Sequence, residues 1–226
     1  MLTIPGLCWL CRMPLAVAGW GICSICQQSL TPPPHCPRCG LEAITHPLPC
    51  GRCLLKPPPW QRLIYVDDYR APLNVLVQRL KFSAATALAP ALSRLLLCQL
   101  LAARRDGTLR LPDCIIAVPL HQTRGWRRGF NQSDLLARPL ARWLGCRYQP
   151  GGLKRRRRTA IQHQLSASAR SDNLRGAFTL EFPVRDLHIA IVDDVVTTGS
   201  TVAEISRLLL RNGAATVQVW CLCRTL

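Results

Sequence analysis

Hydrophobic and polar positions change rhythm several times along the chain. Leu63-Ile64-Tyr65-Val66 is a short apolar run, the mark of a strand. Leu73, Leu76, Val77 and Leu80 recur at helical spacing, and Leu88, Leu92, Leu95, Leu96 and Leu100 do so over a longer stretch, so two helices follow. Cys114 to Val118 is another apolar run, stopped by Pro119 and followed by the Gly- and Arg-rich loop HQTRGWRRGFNQ. Leu135, Leu136, Leu140, Trp143 and Leu144 predict a helix, whereas Gly151 to Ser171 is polar and basic with no apolar face. Ala177 to Phe182 and His188 to Val192 predict strands, the second almost wholly apolar and therefore central. Ser200 to Arg211 predicts a helix with Val202, Ile205, Leu208 and Leu209 inward, stopped at Asn212-Gly213, and Thr216 to Leu222 a closing strand. Strands alternating with helices imply an α/β fold with a parallel sheet and right-handed crossovers. The longest apolar stretch, Ala84 to Ala103, is broken by Pro90 and Arg94 and is helically periodic. It reads as a core helix or dimer contact, so no transmembrane segment is expected.

Residues 1 to 56 show little periodicity and hold eight of the 13 cysteines. These form four C-x-x-C pairs: Cys8/Cys11, Cys23/Cys26, Cys36/Cys39 and Cys50/Cys53. The core of so short a segment is too small to hold without a staple. The opening MLTIPGLCWL has no basic n-region, so the expectation is a cytoplasmic protein without a secretory signal. In that compartment disulfides are the weaker reading and metal the stronger. Two thiolates two residues apart on a tight turn supply half of a zinc tetrahedron, so four pairs predict two zinc ions. All ligands come from Cys, which leaves no open position and makes the role structural. Sequential and interleaved pairing of the knuckles are both open. Pro57-Pro58-Pro59 reads as a stiff linker to a second unit spanning 57–226.

Charge narrows the picture. The formal balance is +17, and residues 104 to 175 hold 16 Arg or Lys against four Asp. An anionic partner follows. The run Lys154 to Arg158, five consecutive basic residues, suits a solvated face, a nucleic-acid patch or a substrate diphosphate. Trp126 and Phe130 are placed to stack on bases beside Arg124, Arg127 and Arg128. Loop histidines such as His121 and His163 read as solvated rather than as acid–base groups.

The most informative stretch is IAIVDDVVTTGST, Ile189 to Thr201. An apolar strand runs into two carboxylates and then into a hydroxyl- and Gly-rich turn that opens a helix. In a parallel sheet this is the carboxyl edge, where ligands bind. Backbone N–H groups and the helix dipole suit a phosphate dianion, and Gly199 permits close approach. Asp193 and Asp194 would repel that phosphate, so they suit the hydroxyls of a sugar carrying it. The nucleotide fingerprints G-x-x-x-x-G-K-[ST] and G-x-G-x-x-G are both absent, which disfavours a triphosphatase or a dehydrogenase.

That run resembles the phosphoribosyl pyrophosphate (PRPP) motif of type I phosphoribosyltransferases. With the cysteine knuckles, VPLHQTRGWRRGFNQ and RRTAIQHQLSASARSDNLRGAF, nearly the whole chain resembles the ComF/GntX family, associated with competence and the use of external DNA. The resemblance implies a Rossmann-like phosphoribosyltransferase domain preceded by a double zinc-ribbon module. It implies that Asp193 and Asp194 contact the ribose hydroxyls, and that Thr197, Thr198, Gly199, Ser200 and Thr201 cradle the 5′-phosphate. Arg124, Arg127 and Arg128 would lie on a pyrophosphate loop, and Arg157, Thr159 and Gln162 on a mobile loop. Mg²⁺ would accompany PRPP and share in stabilising the departing diphosphate. Two functions remain in contention. One is an enzyme moving phosphoribose to a nitrogen acceptor. The other is a PRPP or nucleotide sensor whose basic surface handles single-stranded DNA, alongside proteins of DNA uptake.

Overall fold

The computed structural model describes residues 6–43, 48–120, 129–155 and 176–225. Among these residues seven strands form: β1 (Arg62–Asp68), β2 (Cys114–Ala117), β3 (Arg147–Tyr148), β4 (Leu153–Arg155), β5 (Phe178–Leu180), β6 (His188–Val196) and β7 (Thr216–Arg224). The α-helices among them are α1 (Ser24–Gln28), α2 (Gly51–Leu55), α3 (Leu73–Phe82), α4 (Ala89–Arg105), α5 (Gln132–Leu144) and α6 (Ser200–Arg211).

Five strands form one sheet in the order β1-β7-β6-β2-β3, and every pairing in it is parallel. β6 is the middle strand, and Ile189 to Val192 are buried without a break. An unbroken apolar run is what a strand covered on both faces requires. On one face Leu76 of α3, Leu92 and Leu96 of α4 and Leu136 and Leu140 of α5 pack with Ala190, Val192, Trp220 and Leu222. On the other, Ile205 and Leu209 of α6 pack with Ile189, Ile191 and Val219. Each leucine so buried stabilises the fold by roughly 1.5–3 kcal/mol.

Thr86–Arg105 is long and apolar enough to cross a membrane by length and composition alone. Here Leu92, Leu95, Leu96 and Leu100 are buried in the core, and the helix packs on α5 and β1. It is the core helix that its periodicity predicts.

Four expectations change. The strand near Ala177–Phe182 forms, but outside the parallel sheet: β5 pairs antiparallel with β4 in a separate ribbon. β4 lies inside the stretch read as polar and featureless, where Leu153 is buried, Lys154 pairs with Glu181 at 3.1 Å, and the Arg155 guanidinium lies over the Phe178 ring. One apolar residue is too little periodicity to announce a strand. Trp143 is 45% exposed, because α5 turns Leu136, Ala137, Leu140 and Ala141 to the core and the indole falls off that face. Leu208 is only half-buried, at the rim of the α6 contact.

The cysteine segment makes two small lobes, each opened by an antiparallel bridge, Leu7 with Pro14 and His35 with Glu42. The first lobe sits on α4, where Leu15, Ile22 and Leu30 join the core. The Arg94 guanidinium lies 4.2 Å over the Trp20 ring and its Nη1 donates to Ile22 O at 3.3 Å. The second lobe sits on β1: Leu63 N donates to Pro37 O at 2.8 Å, and the Tyr65 hydroxyl to Gly40 O at 3.2 Å.

Candidate metal centres and anion site

The lobes resolve the pairing of the knuckles as sequential. Cys8, Cys11, Cys23 and Cys26 form one cluster and Cys36, Cys39, Cys50 and Cys53 the other, with all four Sγ atoms of each within 4.8 Å of one another. The Sγ atoms of Cys11 and Cys23 are 3.7 Å apart, as are those of Cys39 and Cys50. Zn–S bonds of ~2.3 Å in a tetrahedron put sulfurs ~3.8 Å apart, so both clusters have the dimensions to hold a zinc ion.

The backbone favours thiolate at one sulfur in each cluster. Cys23 N donates to Cys8 Sγ at 3.4 Å, and Cys50 N to Cys36 Sγ at 3.2 Å. Burial opposes ionisation of Cys8, but N–H groups from Cys23, Cys11 and Leu10 outweigh it and bring the thiol down to about 6. Cys36 comes down to about 7 against its own burial, through N–H groups of Cys50, Cys39 and Arg38. Burial and then the neighbouring sulfurs push Cys26 up to about 12, and they push Cys53 up as well. Four sulfurs this close need a cation to be charged together.

The second site lies at the carboxyl edge of β6. Asp193 and the run from Val195 to Val202 line a pocket there. Gly199 is the N-cap of α6 at φ 76, a conformation that favours glycine. A Cβ at this position would also stand 3.0 Å from Cη2 of Trp60. Ser200 N donates to Thr198 Oγ1 at 3.4 Å, and the Thr198 and Ser200 hydroxyls lie 2.9 Å apart. The first N–H groups of α6 have no carbonyl within the helix to bond, so this edge is electropositive.

The two acids have different surroundings, as neighbours on a strand must. Asp193 is half-buried in the pocket wall and accepts from the Ser133 hydroxyl at 3.1 Å and from Asp194 N at 2.9 Å. Burial, then the charge of Asp194, push its carboxyl up to about 7. Asp194 is buried and pairs with Lys81 Nζ of α3 at 3.1 Å. α5 begins at the same edge: the Asn131 side chain accepts from Ser133 N at 3.1 Å and donates to Val118 O at 3.0 Å. The two ends of the loop after β2 are therefore tied together beside Asp193.

The structure thus brings Asp193, Asp194 and Thr197 to Thr201 to one edge. Arg124, Arg127, Arg128, Arg157, Thr159 and Gln162 lie outside the described residues. Four residues at the edge escape sequence reading. Lys81 is a single cation just past the apolar stripe of α3, and Ser133 an ordinary residue after a helix cap. Trp60 and Arg224 lie far from the motif in sequence. Nε1 of Trp60 donates to Arg38 O at 2.6 Å, and Arg224 bonds carbonyls of both the second lobe and the loop.

A family model for the phosphoribosyl transferase domain matches residues 132–226. DNA utilization protein YhgH of Escherichia coli O6:H1 (strain CFT073) is 65% identical over 227 residues, covering all of both chains. The protein of the same name from Escherichia coli strain K12 is 63% identical, again over the full length of both. Competence protein F of Haemophilus influenzae is 43% identical over 222 residues, covering 96% of each chain.

Proposed function

The chain belongs to the ComF/GntX family of competence and DNA-utilisation proteins, and on that premise we propose that its phosphoribosyl transferase domain binds PRPP with Mg²⁺ at the edge of β6. One observation carries the reading: a hydroxyl-rich turn and an open helix N-terminus share a pocket with the carboxylate of Asp193. In this reading Thr197 to Thr201 receive the 5′-phosphate, with Gly199 allowing the backbone to approach it. Asp193 accepts hydrogen bonds from the ribose hydroxyls, oriented by Ser133, while Lys81 holds Asp194 behind it. Mg²⁺, a hard cation that keeps oxygen ligands, would arrive on the diphosphate and neutralise its charge as it leaves. The pyrophosphate-loop arginines Arg124, Arg127 and Arg128 would face that diphosphate, and Arg157 and Gln162 would close over it. Each cysteine cluster would hold one structural zinc, stapling a lobe too small to fold alone.

The product of this chemistry is a phosphoribosylated nitrogen acceptor. The basic charge between residues 104 and 175 exceeds what one diphosphate needs, which favours single-stranded DNA as a further partner in DNA utilisation. Titration calorimetry with PRPP and Mg²⁺ tests the central claim. Saturable heat is expected from the wild type and its loss from Asp193→Ala; no heat from the wild type would refute the assignment. Metal analysis of reduced protein tests the clusters, with two zinc ions per chain expected.

A further inference from the structure

The second cysteine cluster and the phosphate loop are joined by side chains that neither motif contains. Cys39 and Arg38 belong to the Cys36–Cys39 knuckle, and both present main-chain carbonyls outward. Arg224, at the end of β7, donates from Nε to Cys39 O at 2.9 Å. From Nη1 the same guanidinium donates to Val196 O at 3.0 Å, and to the carbonyls of Thr197 and Thr225. Val196 and Thr197 are the residues through which β6 enters the loop. Trp60 makes a second link: its Nε1 donates to Arg38 O at 2.6 Å, while its Cη2 stands 3.0 Å from where a Cβ on Gly199 would lie. Gly40, left-handed at φ 76, fits the knuckle against this seam, where an added Cβ would stand 3.1 Å from Leu63 and Tyr65 and 3.3 Å from Arg224 Cγ. The first cluster has no such link among the described residues. Its lobe rests on α4, through Arg94 and the contact of Gly21 with Ala91.

We propose that Arg224 and Trp60 are positioning residues through which the metal-bound second cluster holds the phosphate loop in its anion-binding shape. The inference rests on the reading of that loop as a PRPP site, but the link itself needs no ligand. A carbonyl serves as an anchor only if its own peptide is held, and a tetrahedral metal across Cys36, Cys39, Cys50 and Cys53 holds that turn. Without it the knuckle carbonyls lose their fixed places. The guanidinium then has one fewer acceptor to orient it, and the carbonyls of Val196 and Thr197 lose a fixed donor. Coupling of the two binding equilibria must be reciprocal, so an anion seated on the loop should also tighten metal binding at this cluster and not at the other, and metal loss slows where opening of the knuckle limits it.

Hydrogen–deuterium exchange on the full-length metal-loaded protein tests this without assuming a ligand. Arg224→Gln is expected to speed exchange of the amides from Thr198 to Val202 by about tenfold while Ile189 to Val192 stay protected. Arg224→Lys keeps the charge but not the planar fork, so it should fall between Arg224→Gln and wild type. Arg94→Gln, which loosens the first lobe, should leave the loop at the wild-type rate. Zinc release to a chelator from the unaltered protein provides a second reading that needs no variant. Two phases are expected, with PRPP and Mg²⁺ slowing only one, and mass spectrometry of alkylated cysteines assigning that phase to Cys36, Cys39, Cys50 and Cys53. Equal loop exchange in Arg224→Gln and wild type would overturn the proposal, as would a loop equally loosened by Arg94→Gln. Loosening by Arg224→Gln in a protein that gives no heat with PRPP would uphold the link and refute the PRPP reading. Heat with PRPP and no loosening would do the reverse.

Discussion

The two cysteine clusters share one double C-x-x-C plan in sequence and do different work in the fold. Each is built from two C-x-x-C knuckles, and each seats a left-handed glycine, Gly21 or Gly40, against the larger domain. The first lobe contributes Leu15, Ile22 and Leu30 to the core over α4. The second contributes carbonyl oxygens to Trp60, Leu63, Tyr65 and Arg224, beside the loop proposed to bind an anion. One extends a hydrophobic core, and the other fixes polar geometry. Apolar burial is non-directional and tolerates small shifts, whereas a hydrogen-bonded anchor transmits them.

The largest effect that separates the lobes should come from Cys8→Ala. It breaks the staple beneath a lobe that covers α4, and we expect a loss of about 4 kcal/mol in stability by urea titration, with one zinc gone. PRPP affinity per folded molecule should stay within twofold of wild type, about 0.4 kcal/mol. Equal losses of stability and affinity would erase the distinction.

Lys81→Met comes next, and asks whether the loop edge is also held from the α3 side. It leaves the Asp194 carboxylate buried without its partner, at a cost of about 3 kcal/mol. Adding Asp194→Asn should restore most of this; no restoration would mean that Lys81 acts through its packing. Gly21→Ala and Gly40→Ala should each cost about 1–2 kcal/mol, because both residues hold positive φ in a tight seat. The comparison predicts that only Gly40→Ala also raises amide exchange in the phosphate loop.

A separate effect lies in pH. The Asp193 carboxyl has its ordinary value of 3.8 in the unfolded chain and about 7 in the fold, so the folded state binds the proton more tightly. Its contribution to stability is fully present below about 4 and falls away as pH rises to about 7. Urea midpoints for Asp193→Asn should show a flatter profile across that window, and an unchanged slope would show that another group sets it. Smallest of all, Lys154→Ala removes an exposed pair with Glu181 and should shift stability by under about 0.5 kcal/mol.

Much of the fold was legible in the sequence because burial leaves a period. The apolar run of β6 placed it at the centre of a parallel sheet, and the stripes on α3 and α4 are the residues that are buried. The ribbon of β4 and β5 was not legible as such, since short strands with Leu153 and Phe178 as their buried residues carry no distinct rhythm. Trp143 misled for a related reason: a large apolar side chain at helical spacing mimics a core position, while α5 seats alanines there. At the carboxyl edge of β6 the motif itself was plain, from Asp193 to Thr201. Its supports were not, because Lys81, Ser133, Trp60 and Arg224 come from four other parts of the chain.

By itself, the sequence determined the number and spacing of thiol ligands, the order of the long strands and helices, and the loop chemistry suited to a phosphate. These are local properties, written in residues within a few positions of one another. Only the tertiary structure decided that the knuckles pair sequentially, that Asp193 faces the pocket while Lys81 takes Asp194, and that one cluster of two rests against the loop. Such choices depend on which backbone carbonyls and charges meet across long separations, such as Cys39 with Arg224. They follow from how the sheet brings its carboxyl edge under the second lobe, and a contact of that kind leaves no periodic trace along the chain.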